Sequence, residues 1–445
     1  MKNLMFLFLF ISQALFAQNQ MKTTNELIGS WEGAFIKSNS YQKIEVDFYE
    51  RDGQLYGLQM MDEWNPTYWG FEVPVKVDSV GKITFGTGYG RTELVLDIEN
   101  LEMVGQLIGL TPTIYMHLKK VAERPAPNYS IEEVSINSDG SRLYGHLHLP
   151  HSNPTNTVII FVGGRGCGAD ETEYNLYAKF LRKYGIAVMT YQKRGTGKST
   201  GDCGSATIKD LATDLIAVKK YLDNRDKPFS KVGTLGVSAG GWTMVKAEEN
   251  IDFDFMISIV GPSTSVKDQQ LQSAMYGADF YGLSEPIRKE LMTYTDLMLN
   301  AKPSAETFTK MENLLLLAEK NRWRALLEDT DIPSSASAIS DLWVRRHDYD
   351  PKDILSNYNK PFLALYGEDD FIVPYKENIE TLNTYFEGRE DQMTAIMVHN
   401  AEHGMEMARK WIILGQDRSY WHFYRISPKV RIAIVDFLNK HGLKR

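Results

Sequence analysis

Gly236-Val237-Ser238-Ala239-Gly240 closes an apolar run, Val232 to Val237, and opens an apolar helical pattern. A G-x-S-x-G between strand and helix predicts a sharp, strained turn with the serine at its tip. Glycine is required two residues to either side because a Cβ there would meet the neighbouring strand and helix. Such a turn lifts the Ser238 Oγ above a sheet, beside the first N–H groups of the next helix, which favour negative charge. Ser238 is therefore a candidate nucleophile.

On either side of this turn the chain alternates strands and helices from about residue 131 onward. Segments 131–136, 142–149, 157–162, 186–191, 232–237, 254–260, 362–366 and 393–398 read as strands. Helical patterns fall at 173–184, 207–223, 239–249, 376–386 and 428–440. Near-continuous apolar strands separated by amphipathic helices predict a mostly parallel sheet covered on both faces. The first two strands, joined by Asp139-Gly140, read as an antiparallel hairpin at the sheet edge. Residues 263–355 break the rhythm with helix-like segments rich in Met, Leu, Tyr and Trp, and are expected to form a lid over the strand C-terminal ends. Within it Met275, Tyr276, Phe280, Tyr281, Trp323 and Trp343 are candidates for lining an acyl or alcohol pocket, or for the lid's own core.

A serine nucleophile needs a base and an acid from elsewhere in the chain. Gly367-Glu368-Asp369-Asp370 follows the apolar strand ending at Leu365, so an acid there points back across the sheet top. Asp370 has the better spacing to Val373-Pro374; Asp369 is the alternative, and Glu368 is expected to solvate the turn. Strand 393–398 leads into His399-Asn400-Ala401-Glu402-His403-Gly404. His403, followed by glycine, suits a loop-borne base, whereas His399, nearer the strand end, reads as structural.

The order Ser238, Asp370, His403 is that of the α/β hydrolases, and over 131–445 the chain resembles that superfamily, in particular secreted bacterial serine esterases of its serine aminopeptidase-like branch. Tyr191-Gln192-Lys193-Arg194-Gly195-Thr196-Gly197-Lys198-Ser199-Thr200-Gly201 is similar to the D-x-R-G-x-G-x-S-x-G loop, with Gln192 in place of the acid. Val162-Gly163-Gly164-Arg165-Gly166 stands where the family has its oxyanion loop, often His-Gly in other members. His347-Asp348-Tyr349-Asp350-Pro351 resembles a segment of the secreted esterases. The resemblance implies an acyl-enzyme mechanism, with Ala239 and Arg165, or Gly164, as oxyanion-hole donors through main-chain N–H groups. It implies a carboxylic ester hydrolase, with a serine aminopeptidase or an acyltransferase as alternatives using the same triad. A catalytically inactive binding protein is the alternative from another class.

Residues 24–122 form a separate all-β region, predicted as a small barrel or sandwich. Lys43-Ile44-Glu45-Val46-Asp47-Phe48 and Thr92-Glu93-Leu94-Val95-Leu96 alternate with period two, and Asp52-Gly53, Asn65-Pro66, Ser79-Val80-Gly81 and Glu99-Asn100 mark turns. Gly29-Ser30-Trp31 resembles the G-x-W that opens lipocalin-type barrels, with Trp31 expected to plug the barrel base. Arg124-Pro125-Ala126-Pro127-Asn128 makes 123–130 a stiff linker.

The 445 residues suit two domains. A net charge of −8 excludes a simple electrostatic attraction to nucleic acid or an anionic membrane. Lys2, the apolar run Leu4 to Ile11, and Ala14 and Ala17 predict a signal peptide over 1–17, cleaved after Ala17, and hence a periplasmic or secreted protein. The two cysteines, Cys167 and Cys203, are then either free thiols or a disulfide. No cofactor and no metal are expected. Gly197-Lys198-Ser199 lacks the P-loop glycine at Gln192, Gly164-Arg165-Gly166-Cys167-Gly168-Ala169 ends in alanine where a dinucleotide loop has its last glycine, and Glu402-His403 lacks the second histidine of a zinc motif. The expected partner is a small ester or acyl substrate.

Overall fold

The computed structural model describes residues 23–37, 40–61, 67–86, 90–168, 170–407 and 426–444. The expected signal peptide and the Asn65-Pro66 turn lie outside them. The chain divides into two compact units, with the division between Pro127 and Asn128.

The first unit is a closed barrel rather than a sandwich. Its strands are β1 (Gly29–Lys37), β2 (Ser40–Arg51), β3 (Gln54–Met60), β4 (Gly70–Val77), β5 (Lys82–Phe85), β6 (Thr92–Asp97), β7 (Glu102–Leu107) and β8 (Ile114–Lys120). Each pairs antiparallel with the next, and β1 pairs with β8 to close the ring. The period-two pattern decides which side chains face inward. In β8, Ile114, Met116 and Leu118 are buried while Tyr115, His117 and Lys119 face out. The interior is filled by Trp31, Phe48, Phe85, Ile44, Val46, Leu94 and their neighbours. Trp31 is fully buried and donates its indole N–H to the Leu27 carbonyl, 2.7 Å away.

The second unit holds an eight-stranded mixed sheet. Its strands are β9 (Tyr129–Ser138), β10 (Ser141–Pro150), β11 (Thr157–Val162), β12 (Ala187–Tyr191), β13 (Lys231–Val237), β14 (Met256–Ile259), β15 (Phe362–Gly367) and β16 (Met393–Val398). The order is β16-β15-β14-β13-β11-β12-β10-β9. All pairings from β12 to β16 are parallel, whereas β9 and β10 form an antiparallel edge hairpin. Every side chain of β11 and of β15 is buried, because helices cover both faces. Helix Ile208–Asp223 starts at a capping box in which Thr207 and Asp210 satisfy each other's backbone N–H groups. Its Leu215, Val218 and Leu222 join the sheet core.

Between β14 and β15 the chain makes an insertion whose longest helices are Val266–Phe280, Glu285–Asn300 and Ala305–Asn321. Leu291, Tyr294, Met298, Met311, Trp323 and Trp343 form its core, which continues onto Trp242 of the helix that follows Ser238. Among the described residues no helix is long and apolar enough to cross a membrane.

Candidate active site

Ser238 stands between β13 and helix Gly240–Glu248 with φ +52°, a left-handed conformation that an L-residue adopts only under constraint. The constraint is visible in the backbone. Ser238 N–H donates to the Ile259 carbonyl at 2.9 Å, and its own carbonyl accepts from Gly241 N–H at 2.8 Å. A Cβ on Gly236 would lie 2.7 Å from the Gly240 oxygen, and one on Gly240 would lie 2.3 Å from the Val162 oxygen. Both positions therefore demand glycine.

Asp370 follows β15 and its side chain is fully buried. Its Oδ1 accepts from the backbone N–H groups of Ile372 and Val373 at 2.8 and 2.9 Å, which aims Oδ2 at His403. The distance from Oδ2 to His403 Nδ1 is 2.8 Å, and His403 Nε2 lies 3.0 Å from Ser238 Oγ. With a carboxylate on Nδ1, the imidazole carries its proton there and presents Nε2 to the serine hydroxyl. Burial of the ring opposes its protonation, but the Asp370 charge and hydrogen bond, with smaller contributions from Glu328 and Glu402, outweigh burial and raise its pKa above 6.5.

The loop carrying His403 is pinned rather than free. Glu402 N–H donates to the Glu406 carbonyl, Met405 N–H to that of Glu402, and Ala401 bridges to Met407. The neighbouring acids serve this loop. Glu368 accepts from Asn400 N–H at 3.0 Å and lies 3.5 Å from the exposed His399, and Asp369 N–H donates to the Ala401 carbonyl. Glu368 thus braces the His403 loop, a more specific task than solvating its turn.

Across Ser238 from His403 runs the loop Gly163–Gly168. A Cβ on Gly164 would sit 3.1 Å from the Ser238 Cβ and 3.7 Å from its Oγ, so this backbone passes close against the Ser238 side chain. No group among the described residues accepts a hydrogen bond from the backbone N–H of Ala239 or Arg165. Three tethers hold the loop. Lys193 Nζ donates to the carbonyls of Gly164 and Gly166, each at 2.7 Å, and burial lowers its pKa against the opposing charge of Asp170. Cys167 and Cys203 form a disulfide, with their Cα atoms 5.8 Å apart. The Arg165 guanidinium pairs with the buried Asp331 of the insertion at 2.7 Å, bonds Thr330, and lies 4.4 Å above the Trp343 ring.

Beside this loop lies a cavity of about 150 Å³ whose lining includes Gly164, Ala239, Ile208, Leu211, Trp343 and Arg346. Of the aromatic and Met candidates in the insertion, Trp343 lines it, while Trp323 is buried in the insertion's own core. Phe280 and Tyr281 cluster on Phe371, Tyr276 bonds Glu377, and Met275 is exposed. His347 also lines the cavity, and burial lowers its pKa to about 4, so it is neutral at physiological pH. Gln192, in place of the family's acid, accepts from Lys198 N–H and shapes its turn. The roles of Lys193, Arg346 and the Arg165–Asp331 pair went unrecognised in the sequence, where no residue pattern signals them. Among the described residues no group of three or more His, Cys, Asp or Glu side chains is placed to hold a metal ion.

The model of a family described as serine aminopeptidase, S33, matches residues 153–407. No curated protein matches the chain. Among solved structures, an esterase of Pyrococcus furiosus is 15% identical, with 72% of this chain and 96% of that chain covered and a TM-score of 0.45. Est1E from Butyrivibrio proteoclasticus, solved with ferulic acid bound, is 18% identical, with 70% and 100% covered and a TM-score of 0.44. A proline iminopeptidase-related protein of Thermus thermophilus is 16% identical, with 70% and 98% covered and a TM-score of 0.42.

Proposed function

Because this chain belongs to the serine aminopeptidase S33 family of the α/β-hydrolase superfamily, we propose that it hydrolyses carboxylic esters through an acyl-enzyme on Ser238. One observation carries the reading: a single imidazole, His403, reaches both the Ser238 hydroxyl and the buried Asp370 carboxylate. His403 Nε2 takes the Oγ proton as Oγ bonds to the ester carbonyl carbon. The backbone N–H groups of Ala239 and Arg165, with Gly164 close by, stabilise the resulting oxyanion, a donor contribution worth about 3–4 kcal/mol each. Collapse breaks the ester C–O bond, and the alkoxide leaves with the proton from His403. Water then attacks the acyl-enzyme, gives a proton to His403, and the second collapse releases the acid and restores Ser238.

An aminopeptidase is the second reading, favoured by Glu328, an exposed carboxylate of the insertion whose charge is felt at His403. A panel of alkyl and p-nitrophenyl esters against aminoacyl p-nitroanilides separates the two. We expect ester turnover with little anilide turnover; anilide turnover without ester turnover would replace the first reading by the second.

Export is part of the same proposal. It is supported by Lys2 and the apolar run from Leu4 to Ile11, and by a disulfide that suits an oxidising compartment. N-terminal sequencing of protein expressed in a Gram-negative host should begin at Gln18; a chain retaining Met1 would overturn it.

A further inference from the structure

The lining of the cavity beside the oxyanion loop combines Ile208, Leu211 and Trp343 with Arg165, Lys193 and Arg346, and holds no carboxylate among the described residues. Asp331 pairs with Arg165, and the charges of Asp170 and Asp202 are felt at Lys193 and Arg346, but none of the three acids lines the cavity. Arg346 bonds the Gly204 carbonyl through Nη1, yet its Nε is buried with no acceptor. The half-buried Arg346 makes no ion pair among the described residues, so a bound anion would neutralise its charge.

The place of the cavity fixes which part of a substrate it takes. The leaving alkoxide must stand within reach of His403 Nε2 to receive its proton. Neither Ser238 nor His403 lines the cavity, but Gly164 and Ala239, which flank Ser238 on the side of the Gly163–Gly168 loop, do. The cavity is therefore on the acyl side. Its volume of about 150 Å³ matches that of cavities known to admit benzene, so it holds about six non-hydrogen atoms.

We propose that this cavity is the acyl pocket and that it selects short acyl chains ending in a carboxylate, as in monoesters of small dicarboxylic acids. The proposal rests on the ester-hydrolase reading. The apolar side chains of the lining take the methylene chain, and Arg346, supported by Arg165 and Lys193, takes the carboxylate. The same lining is hostile to the α-ammonium of an aminoacyl group.

The test compares monoethyl succinate with its neutral near-isostere ethyl 4-oxopentanoate. In the wild-type protein kcat/KM should favour the anion at least tenfold, and added salt should shrink the preference. Arg346→Gln should lower the ratio at least tenfold, and Arg346→Lys should recover part of it. Equal or reversed preference in the wild type, or an unchanged ratio in Arg346→Gln, would overturn the pocket assignment. Binding to Ser238→Ala, followed by calorimetry, needs no turnover and so separates a failed pocket from a failed mechanism. Monoethyl succinate should bind at least tenfold more tightly than the ketone; equal affinity refutes the pocket even if neutral esters are hydrolysed, and tighter binding supports it even if neither ester is.

Discussion

In the proposed mechanism His403 acts as a base only when neutral, and its surroundings favour the charged form. Burial disfavours the imidazolium, but the charge of Asp370 and the hydrogen bond to it prevail, so the pKa lies above 6.5. Activity should accordingly fall as pH drops through a value above 6.5. In Asp370→Asn that acid limb should move to lower pH and kcat should drop by about 10³–10⁴-fold, with KM changed far less. A pH–rate profile with the limb unmoved in the variant would contradict the assignment of Asp370. The structure brings together the three side chains that sequence spacing singles out, because each sits where a strand ends and glycine or proline marks the turn. Lys193 was not legible in the same way. Its partners are two backbone carbonyls, which no residue pattern advertises. Lys193→Met removes both bonds from the loop over Ser238, and kcat should fall about 10-fold or more while the thermal transition shifts little; unchanged kcat would leave Lys193 as a structural cation.

The turn at Ser238 and the loop above it make the elements interdependent. Gly240→Ala forces a Cβ to within 2.3 Å of the Val162 oxygen, at the end of the neighbouring strand. Overpacking of this kind costs about 1–3 kcal/mol, and the strand carrying the oxyanion loop is the one displaced. Denaturant unfolding should show that loss together with reduced turnover. The Cys167–Cys203 disulfide closes a sequence separation of 36 residues, worth about 3–4 kcal/mol in the chain-entropy view. Cys167→Ser with Cys203→Ser should therefore lower both stability and kcat, and wild-type protein should lose activity on reduction under native conditions. Retained activity in the reduced protein would show that Lys193 and Arg165 hold the loop unaided. Inner strands such as β11 and β15 were readable as apolar runs ended by a turn signal, and β9 and β10 as segments joined by Asp139-Gly140. The tethers were not, since Arg165 and Asp331 lie 166 positions apart and meet only after the insertion folds back.

At the scale of the whole chain, two units solve different problems. The barrel's period-two pattern identified an all-β region, but alternation alone does not say whether a sheet closes or stacks. The β1–β8 pairing closes it, and large side chains fill it. Trp31→Ala should cost the barrel about 3–5 kcal/mol, seen as a calorimetric transition moved to lower temperature. The hydrolase unit places Ser238, Asp370 and His403 after three different strands of one sheet, and their proposed roles as nucleophile, acid and base are the central claim. It is tested most directly by intact-mass analysis after treatment with a fluorophosphonate, which reacts only with an activated serine. The native protein should gain one adduct, mapping by peptide analysis to Ser238, and Ser238→Ala should gain none. An unlabelled native protein, or equal labelling of Ser238→Ala, would contradict it.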